Sequence, residues 1–131
     1  MQRTQHVQSV FILEQMESLL KLGWHTGTFA RREDGTACYP EDKKAISFDL
    51  AGAFYRVVYL HRLRPAVVRS TKAALIGALN EVNPHKTFAS ILKENAADDD
   101  RFRGALSAFN DTPQRAKMEI FQLIKKAKER L

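Results

Sequence analysis

Apolar residues recur at three- and four-residue spacings along most of the chain, which is the period of helices that bury one face. The pattern predicts a first helix over residues 5–22, ended by Lys21 in its last turn and Gly23 just beyond it. The side chains that this spacing turns inward are Val7, Val10, Phe11, Met16, Leu19, Leu20 and Leu22.

The segment TFARREDGTACY, which follows this helix, has a different pattern. Asp34-Gly35 at its centre is the strongest short signal for a two-residue hairpin turn, in which both residues adopt positive φ. Pairing across that turn sets Arg31 opposite Cys38 and Arg32 opposite Ala37. We therefore predict one short β-hairpin at about residues 28–39.

Helical spacing returns after Pro40, and two acidic residues at positions 41 and 42 suit a helix start there. It predicts a second helix over residues 41–63, a third over 66–82, a short fourth in TFASILKENA and a fifth in RFRGALSAF, preceded by three acidic residues. Gly52 and Gly77 lie inside predicted helices, where glycine is unfavourable, so we expect close approach between helices at both.

The last helix begins near Pro113, with Asp111 or Thr112 as its cap. Its inward stripe is predicted to be Met118, Phe121 (or Ile120), Ile124 and Ala127. The predicted fold is therefore mainly α: a single-domain bundle over residues 1–131, with five or six helices and one short hairpin between helices 1 and 2.

Composition narrows the class of protein. The 131 residues contain one cysteine, Cys38, so no internal disulfide can form. The apolar run after Ser9 is too short for a signal peptide or a membrane span. We therefore expect a cytoplasmic protein that does not associate with a membrane. We expect neither metal nor cofactor, because the four histidines are scattered and no phosphate-binding glycine loop is present.

The net charge of +6 is concentrated in two segments, residues 49–82 and 105–131, each with an excess of three positive charges. One interpretation is a solvated helix surface. The alternative is a surface for the nucleic-acid backbone, formed by Arg62, Arg64, Arg69 and Lys72 around the bend between two helices.

A second set of candidates comes from the stretch GWHTGTFARREDG, which holds the only tryptophan. Trp24 is interpreted mainly as a lid on the core, and alternatively as a binding platform. A small-ligand pocket joining the hairpin to the start of the last helix would involve Trp24, His25, Arg31 and Asp111.

Two blocks of sequence resemble a family of small uncharacterised bacterial and phage proteins. The first block contains Trp24, Gly27, Ala30-Arg31, Gly35 and the helical Gly52-Ala53, and the second contains Phe109-Asn110-Asp111. The family has a Trp-x-x-Gly segment, an Ala-Arg and Gly hairpin, a helical Gly-Ala and a late Trp-Asn-Asp. Phe109 replaces the tryptophan of the last motif. The resemblance supports the predicted architecture and implies no activity.

Three functions fit these observations. The leading hypothesis is a non-enzymatic interaction or regulatory module that acts through a protein partner or self-association. The second is backbone-type nucleic-acid binding by the basic helix surfaces. The third is an enzyme or small-ligand binder with the pocket described above.

Overall fold

The computed structural model describes residues 3–83 and 99–131. This part of the chain forms five helices and one small antiparallel sheet, whose strands come between the first two helices in the chain. The mainly α class is confirmed, whereas the short helix predicted in TFASILKENA lies outside the described residues. The elements in chain order are α1 (Arg3–Leu22), β1 (Ala30–Arg32), β2 (Ala37–Cys38), β3 (Ala45–Phe48), α2 (Leu50–His61), α3 (Pro65–Val82), α4 (Asp99–Asn110) and α5 (Lys117–Glu129).

The predicted position of α1 is confirmed, but its inward face was predicted only in part. Met16 and Leu20 are buried, whereas Val7 and Leu22 are 57% and 84% exposed. The buried stripe instead includes Ser9, Ile12 and Leu13. Gly23 follows the helix for a steric reason, because a Cβ there would lie 2.6 Å from the backbone oxygen of Ile46.

The prediction of a helix from residue 41 is wrong, because residues 45–48 form β3. This strand pairs antiparallel with β1, so the sheet has the order β2-β1-β3. Asp42 does not start a helix. Its carboxylate instead accepts hydrogen bonds from the Arg32 side chain at 2.7 Å and from the backbone N–H of Lys44 at 2.8 Å. Helix α2 starts only at Leu50, where the side chain of Asp49 caps it.

The hairpin is present, but its predicted register is off by one residue. Ala30 pairs with Cys38 and Arg31 with Ala37. The loop has three residues, because the Gly35 N–H donates to Arg32 at 2.9 Å and the Arg32 N–H donates to Thr36. Only Gly35 in this loop has a positive φ, as in a type I turn closed by a left-handed residue.

Helices α2 and α3 meet at a tight bend and form much of the core. Arg62 ends α2 in the left-handed conformation, and Pro65 occupies the first turn of α3, as its fixed φ favours. The predicted close approaches are real but have other partners. Gly52 lies against the backbone of Phe29 in the segment before β1, and Gly77 lies against the Arg130 side chain after α5.

The predicted cap of the last helix is wrong. Helix α5 starts at Lys117, where the Glu119 carboxylate accepts the Ala116 N–H at 2.8 Å. Asp111 therefore lies before the start of this helix and does not cap it. Met118, predicted to face inward, is 65% exposed, whereas the buried residues of this helix are Ile120, Leu123, Ile124 and Ala127.

Candidate functional site

Asn110, the last residue of α4, is fully buried and joins three parts of the chain. Its Oδ1 accepts hydrogen bonds from the indole of Trp24 at 2.7 Å and from the backbone N–H of Leu50 at 3.1 Å. Its Nδ2 donates to the backbone oxygen of His25 at 3.1 Å and to Asp111 at 2.9 Å. The amide thus uses two donors and two acceptor positions, its full ordinary capacity.

The segment that contains Trp24 and His25 runs beside β3. The Phe48 N–H donates to Gly23 and the His25 N–H donates to Phe48, at 2.9 and 3.2 Å. The Trp24 ring is half-buried and packs against the core. This position is that of a structural lid, with the polar edge of the ring held by Asn110.

His25 is locked at both ring nitrogens. Nε2 lies 2.7 Å from the backbone oxygen of Thr28, and Nδ1 lies 2.6 Å from the hydroxyl of Ser47. Because a carbonyl only accepts, Nε2 carries the proton and Nδ1 accepts from Ser47 in the neutral ring. Burial lowers the pKa of His25, and the nearby Arg31 lowers it further. The neutral ring therefore holds the loop over residues 25–28 in place through these two hydrogen bonds.

Asp111 fixes the tip of that loop. Its Oδ1 accepts the Gly27 N–H at 3.0 Å as well as the Asn110 amide. Gly27 has a φ of +93°, a conformation that favours glycine. The guanidinium of Arg31 donates to the Thr26 carbonyl at 3.1 Å from the other side.

A cleft of about 370 Å³ opens between this loop and the end of α4. Two acidic residues, Asp49 and Asp111, and the hydroxyl residue Ser107 belong to its lining. The lining consists of Gly27, Thr28, Phe29, Asp49, Ser107 and Asp111. The cleft therefore has an acidic lining. It lies next to Asn110, which we call the hub because its side chain joins three parts of the chain.

Asp49 is the most unusual group in this wall, because it is a carboxyl residue only 2% exposed. Its Oδ1 accepts the Gly52 N–H at 2.6 Å, which caps α2. Burial raises the pKa of Asp49 to about 7, and the negative charge of Asp111 adds to this effect, whereas the Gly52 hydrogen bond opposes it. The cleft can therefore hold a proton on Asp49 near neutral pH.

This pKa predicts an unusual dependence of stability on pH. Because the native pKa of Asp49 is about 7 and its ordinary value is 3.8, the native state holds the extra proton between these values. The stability that wild type gains over D49N should thus fall as pH rises from 4 to 7 and then level off. Urea unfolding of both proteins at several pH values measures this difference, in which the other titrating groups cancel.

Asp42 supplies the matched control, because hydrogen bonds from Lys44 and Arg32 lower its pKa. The advantage of wild type over D42N should be lost as pH falls below 4, the opposite direction. A carbon-13 titration midpoint near 4 for the Asp49 carboxyl would contradict the assignment.

The structure brings the predicted ligand-binding residues into one neighbourhood but gives them different places. Asp111 lines the cleft. The lining does not include Trp24, His25 or Arg31, whose side chains instead form hydrogen bonds that hold the neighbouring loop. Sequence reasoning missed Asp49. It could have been found as a helix cap, because an aspartate just before a helix can accept the backbone N–H of the residue three positions later, here Gly52.

The predicted nucleic-acid-binding residues separate into two groups. Arg62, Arg64 and Arg69 are exposed. Lys72 is 7% exposed, donates to Asp99 at 2.8 Å and lies over the ring of Phe102. It therefore does not belong to the exposed basic surface, because its position on α3 turns it toward α4.

A larger groove, about 540 Å³, runs along the outer side of the hairpin. It is lined by side chains of both charges and by one exposed apolar residue, and no deeply buried polar group faces it. Its lining residues are Arg32, Glu33, Asp34, Lys44 and Ile46. The smaller cleft has the more distinctive chemistry and is the better candidate site.

Over residues 3–83 and 99–131, no group of three His, Cys, Asp or Glu side chains is arranged to hold a metal ion. Burial and the nearby Asp42 raise the pKa of Cys38, which disfavours a reactive thiolate. No described helix has the length and apolar character needed to cross a membrane.

The fold and the site define a small, mainly helical domain with a three-stranded sheet and an acidic cleft beside a buried asparagine. The chain belongs to a family of unknown function, DUF6197, whose model matches residues 6–130. No curated protein and no solved structure matches it. An uncharacterised family agrees with the resemblance noted above, whereas the individual motifs and a bacterial or phage origin stay predictions.

Proposed function

We propose that this protein is a non-enzymatic binding module whose cleft accepts a cationic group, an ammonium or a guanidinium. The observation that carries the proposal is the buried carboxyl of Asp49 in the wall of a cleft that also contains Asp111. Neither carboxylate forms an ion pair with a cation in the described part of the chain. A bound cation would compensate the charge that burial and repulsion now disfavour.

The lining supports binding rather than turnover. It offers carboxyl, hydroxyl and backbone groups, but no described lining residue supplies an imidazole, thiol or amine. Histidine is the most frequent general acid or base in enzymes, and a serine or carboxylate nucleophile usually needs such a neighbour to activate it. A half-buried aromatic residue, Phe29, completes a site that suits the apolar stem of an amine or guanidine.

The same chemistry has two sources. A free amine or guanidine would make the protein a small-ligand binder, whereas a lysine or arginine side chain of another protein would make it an interaction module. The cleft volume accommodates a single side chain or a small molecule. Both sources place the cation between Asp49 and Asp111.

The test is an NMR titration of the wild-type protein with n-butylammonium, ethylguanidinium and short peptides that contain one lysine or one arginine. Binding in the cleft predicts shifts of the Gly27 and Ser107 amides and a fall in the pKa of Asp49, because a nearby positive charge favours the carboxylate. Comparable affinity for the free cations indicates a small ligand, and binding of the peptides alone indicates a protein partner.

The D111N variant should weaken this binding about tenfold, because a hydrogen bond to a charged group contributes about 1.5–3 kcal/mol. Asparagine keeps an oxygen that can accept from Gly27, so the loop should be preserved. E33Q removes one negative charge from the exposed hairpin loop and should leave affinity unchanged. Absence of any shift with all four probes, or equal losses in D111N and E33Q, would refute the proposal.

A further inference from the structure

One end of the molecule is built from segments without acidic residues. Residues 50–80 contain five Lys or Arg and no Asp or Glu. They form α2 and the greater part of α3, which meet at the bend over residues 62–64. The start of α1 lies beside this bend: the rings of Phe11 and His61 are 4.9 Å apart, and the Ser9 hydroxyl lies 3.5 Å from the Val67 carbonyl oxygen.

Arginines at this end differ from the others in the described part of the chain. Arg32, Arg103, Arg115 and Arg130 each form an ion pair with a carboxylate, and Arg31 and Arg56 donate to backbone carbonyls. In contrast, Arg3, Arg62, Arg64 and Arg69 are exposed, and their guanidinium groups have no hydrogen bond or ion pair to a described residue. We call these four residues the basic end.

No described carboxylate forms an ion pair with a guanidinium of the basic end, and Asp99, which lies beside the middle of α3, is paired with Lys72. Asp49 stands at the opposite end of α2, about 18 Å away for a helix of this length, and Glu81 lies near the far end of α3, about 25 Å away. On α1, Glu14 follows Phe11, which lies beside His61, by three residues, about 4.5 Å along the helix. The separations of Asp49 and Glu81 exceed the screening length at physiological salt, and Glu14 offsets only one of the four positive charges, so the positive potential persists locally.

An exposed aromatic residue belongs to the same end. Tyr59 is 61% exposed and precedes Arg62 by three residues in the last turn of α2. Phosphates attract exposed arginines, and unpaired bases stack on exposed aromatic rings, whereas the bases of a duplex are already stacked on each other.

We infer that the basic end binds single-stranded nucleic acid, with its arginines at the phosphates and Tyr59 against a base. This surface lies at the opposite end of α2 from the acidic cleft, so it is independent of the function proposed above. Contacts of this type position the backbone and read little sequence.

The test is fluorescence anisotropy of a labelled twelve-nucleotide oligothymidylate at 50 mM salt and above. Wild type should bind it, and with about three phosphates contacted the logarithm of affinity should fall with the logarithm of salt at a slope of about −2. The triple variant R62Q/R64Q/R69Q should bind at least tenfold more weakly. Y59A should lose roughly fivefold or more, as expected for a stacked base.

The matched control is K117Q/K125Q/K126Q, which removes three positive charges from α5 and should bind within about twofold of wild type. Far-UV circular dichroism verifies that each variant is folded. Equal losses in the two triple variants would reduce the effect to net charge and overturn the proposal. It would also be overturned by no binding at 50 mM salt, by duplex binding as tight as single-strand binding, or by binding to anionic lipid vesicles instead of the oligonucleotide.

Discussion

Replacing Asn110 with alanine should lower the free energy of unfolding by about 3–5 kcal/mol. The substitution removes four hydrogen bonds and leaves the indole N–H of Trp24, the N–H of Leu50 and the carbonyl of His25 without their partner. Each polar group left unsatisfied in the interior costs about 1–3 kcal/mol. The total is a large part of the stability of a domain of this size.

Urea unfolding measures this loss by two signals, far-UV circular dichroism and the fluorescence of Trp24, the only tryptophan. Because the indole is bonded directly to Asn110, the native emission of N110A should also change. N83A is the control: Asn83 is half-buried at the end of α3, and its side chain has no hydrogen bond to a described residue. A loss below 1 kcal/mol in N110A would show that the hub does not hold the site together.

The isosteric variant N110D separates the donors of this side chain from its acceptors. Its carboxylate can still accept from Trp24 and Leu50, but it cannot donate to His25 and it faces the carboxylate of Asp111. The same geometry explains how one residue organises both the lid and the wall of the cleft.

Helices with local signals could be predicted from the sequence, and contacts between distant segments could not. The bounds of α1 and α3 were predicted to within two residues from apolar spacing and, for α1, from Gly23 after its last turn. Strand β3 was missed because the acidic residues after Pro40 resemble a helix start, and the sequence of residues 45–48 is not strongly typical of a strand. Pairing with β1 decides its conformation, and such pairing is non-local.

The candidate site illustrates the same limit. Asp111 was predicted to cap the last helix, which is the usual local role of an aspartate before a helix, and no contact was predicted for Asn110. Their actual partners, Trp24, Gly27 and Leu50, are 60 to 86 residues away in the chain. The hairpin register failed for a local reason, because Asp34-Gly35 also suits a three-residue loop in which only Gly35 adopts positive φ.

Replacing Gly52 with alanine should be as damaging as the loss of Asn110, by at least about 3 kcal/mol. A Cβ at this position would lie 2.7 Å from the carbonyl carbon of Phe29 and closer still to its oxygen. That oxygen also accepts the Asp49 N–H at 3.1 Å, so the backbone of Phe29 cannot move without breaking a buried contact. The clash therefore outweighs the gain of about 1 kcal/mol that alanine normally brings to a helix.

Two other helical glycines make this prediction specific to packing. A Cβ at Gly104 meets nothing within 4 Å, so G104A should stabilise the protein by about 0.5–1 kcal/mol. At Gly77 the obstacle is the Arg130 side chain, which can move, so G77A should fall between the two. Urea unfolding of the three variants gives the order, and a G52A protein as stable as wild type would mean that α2 does not pack on the backbone of Phe29 as described.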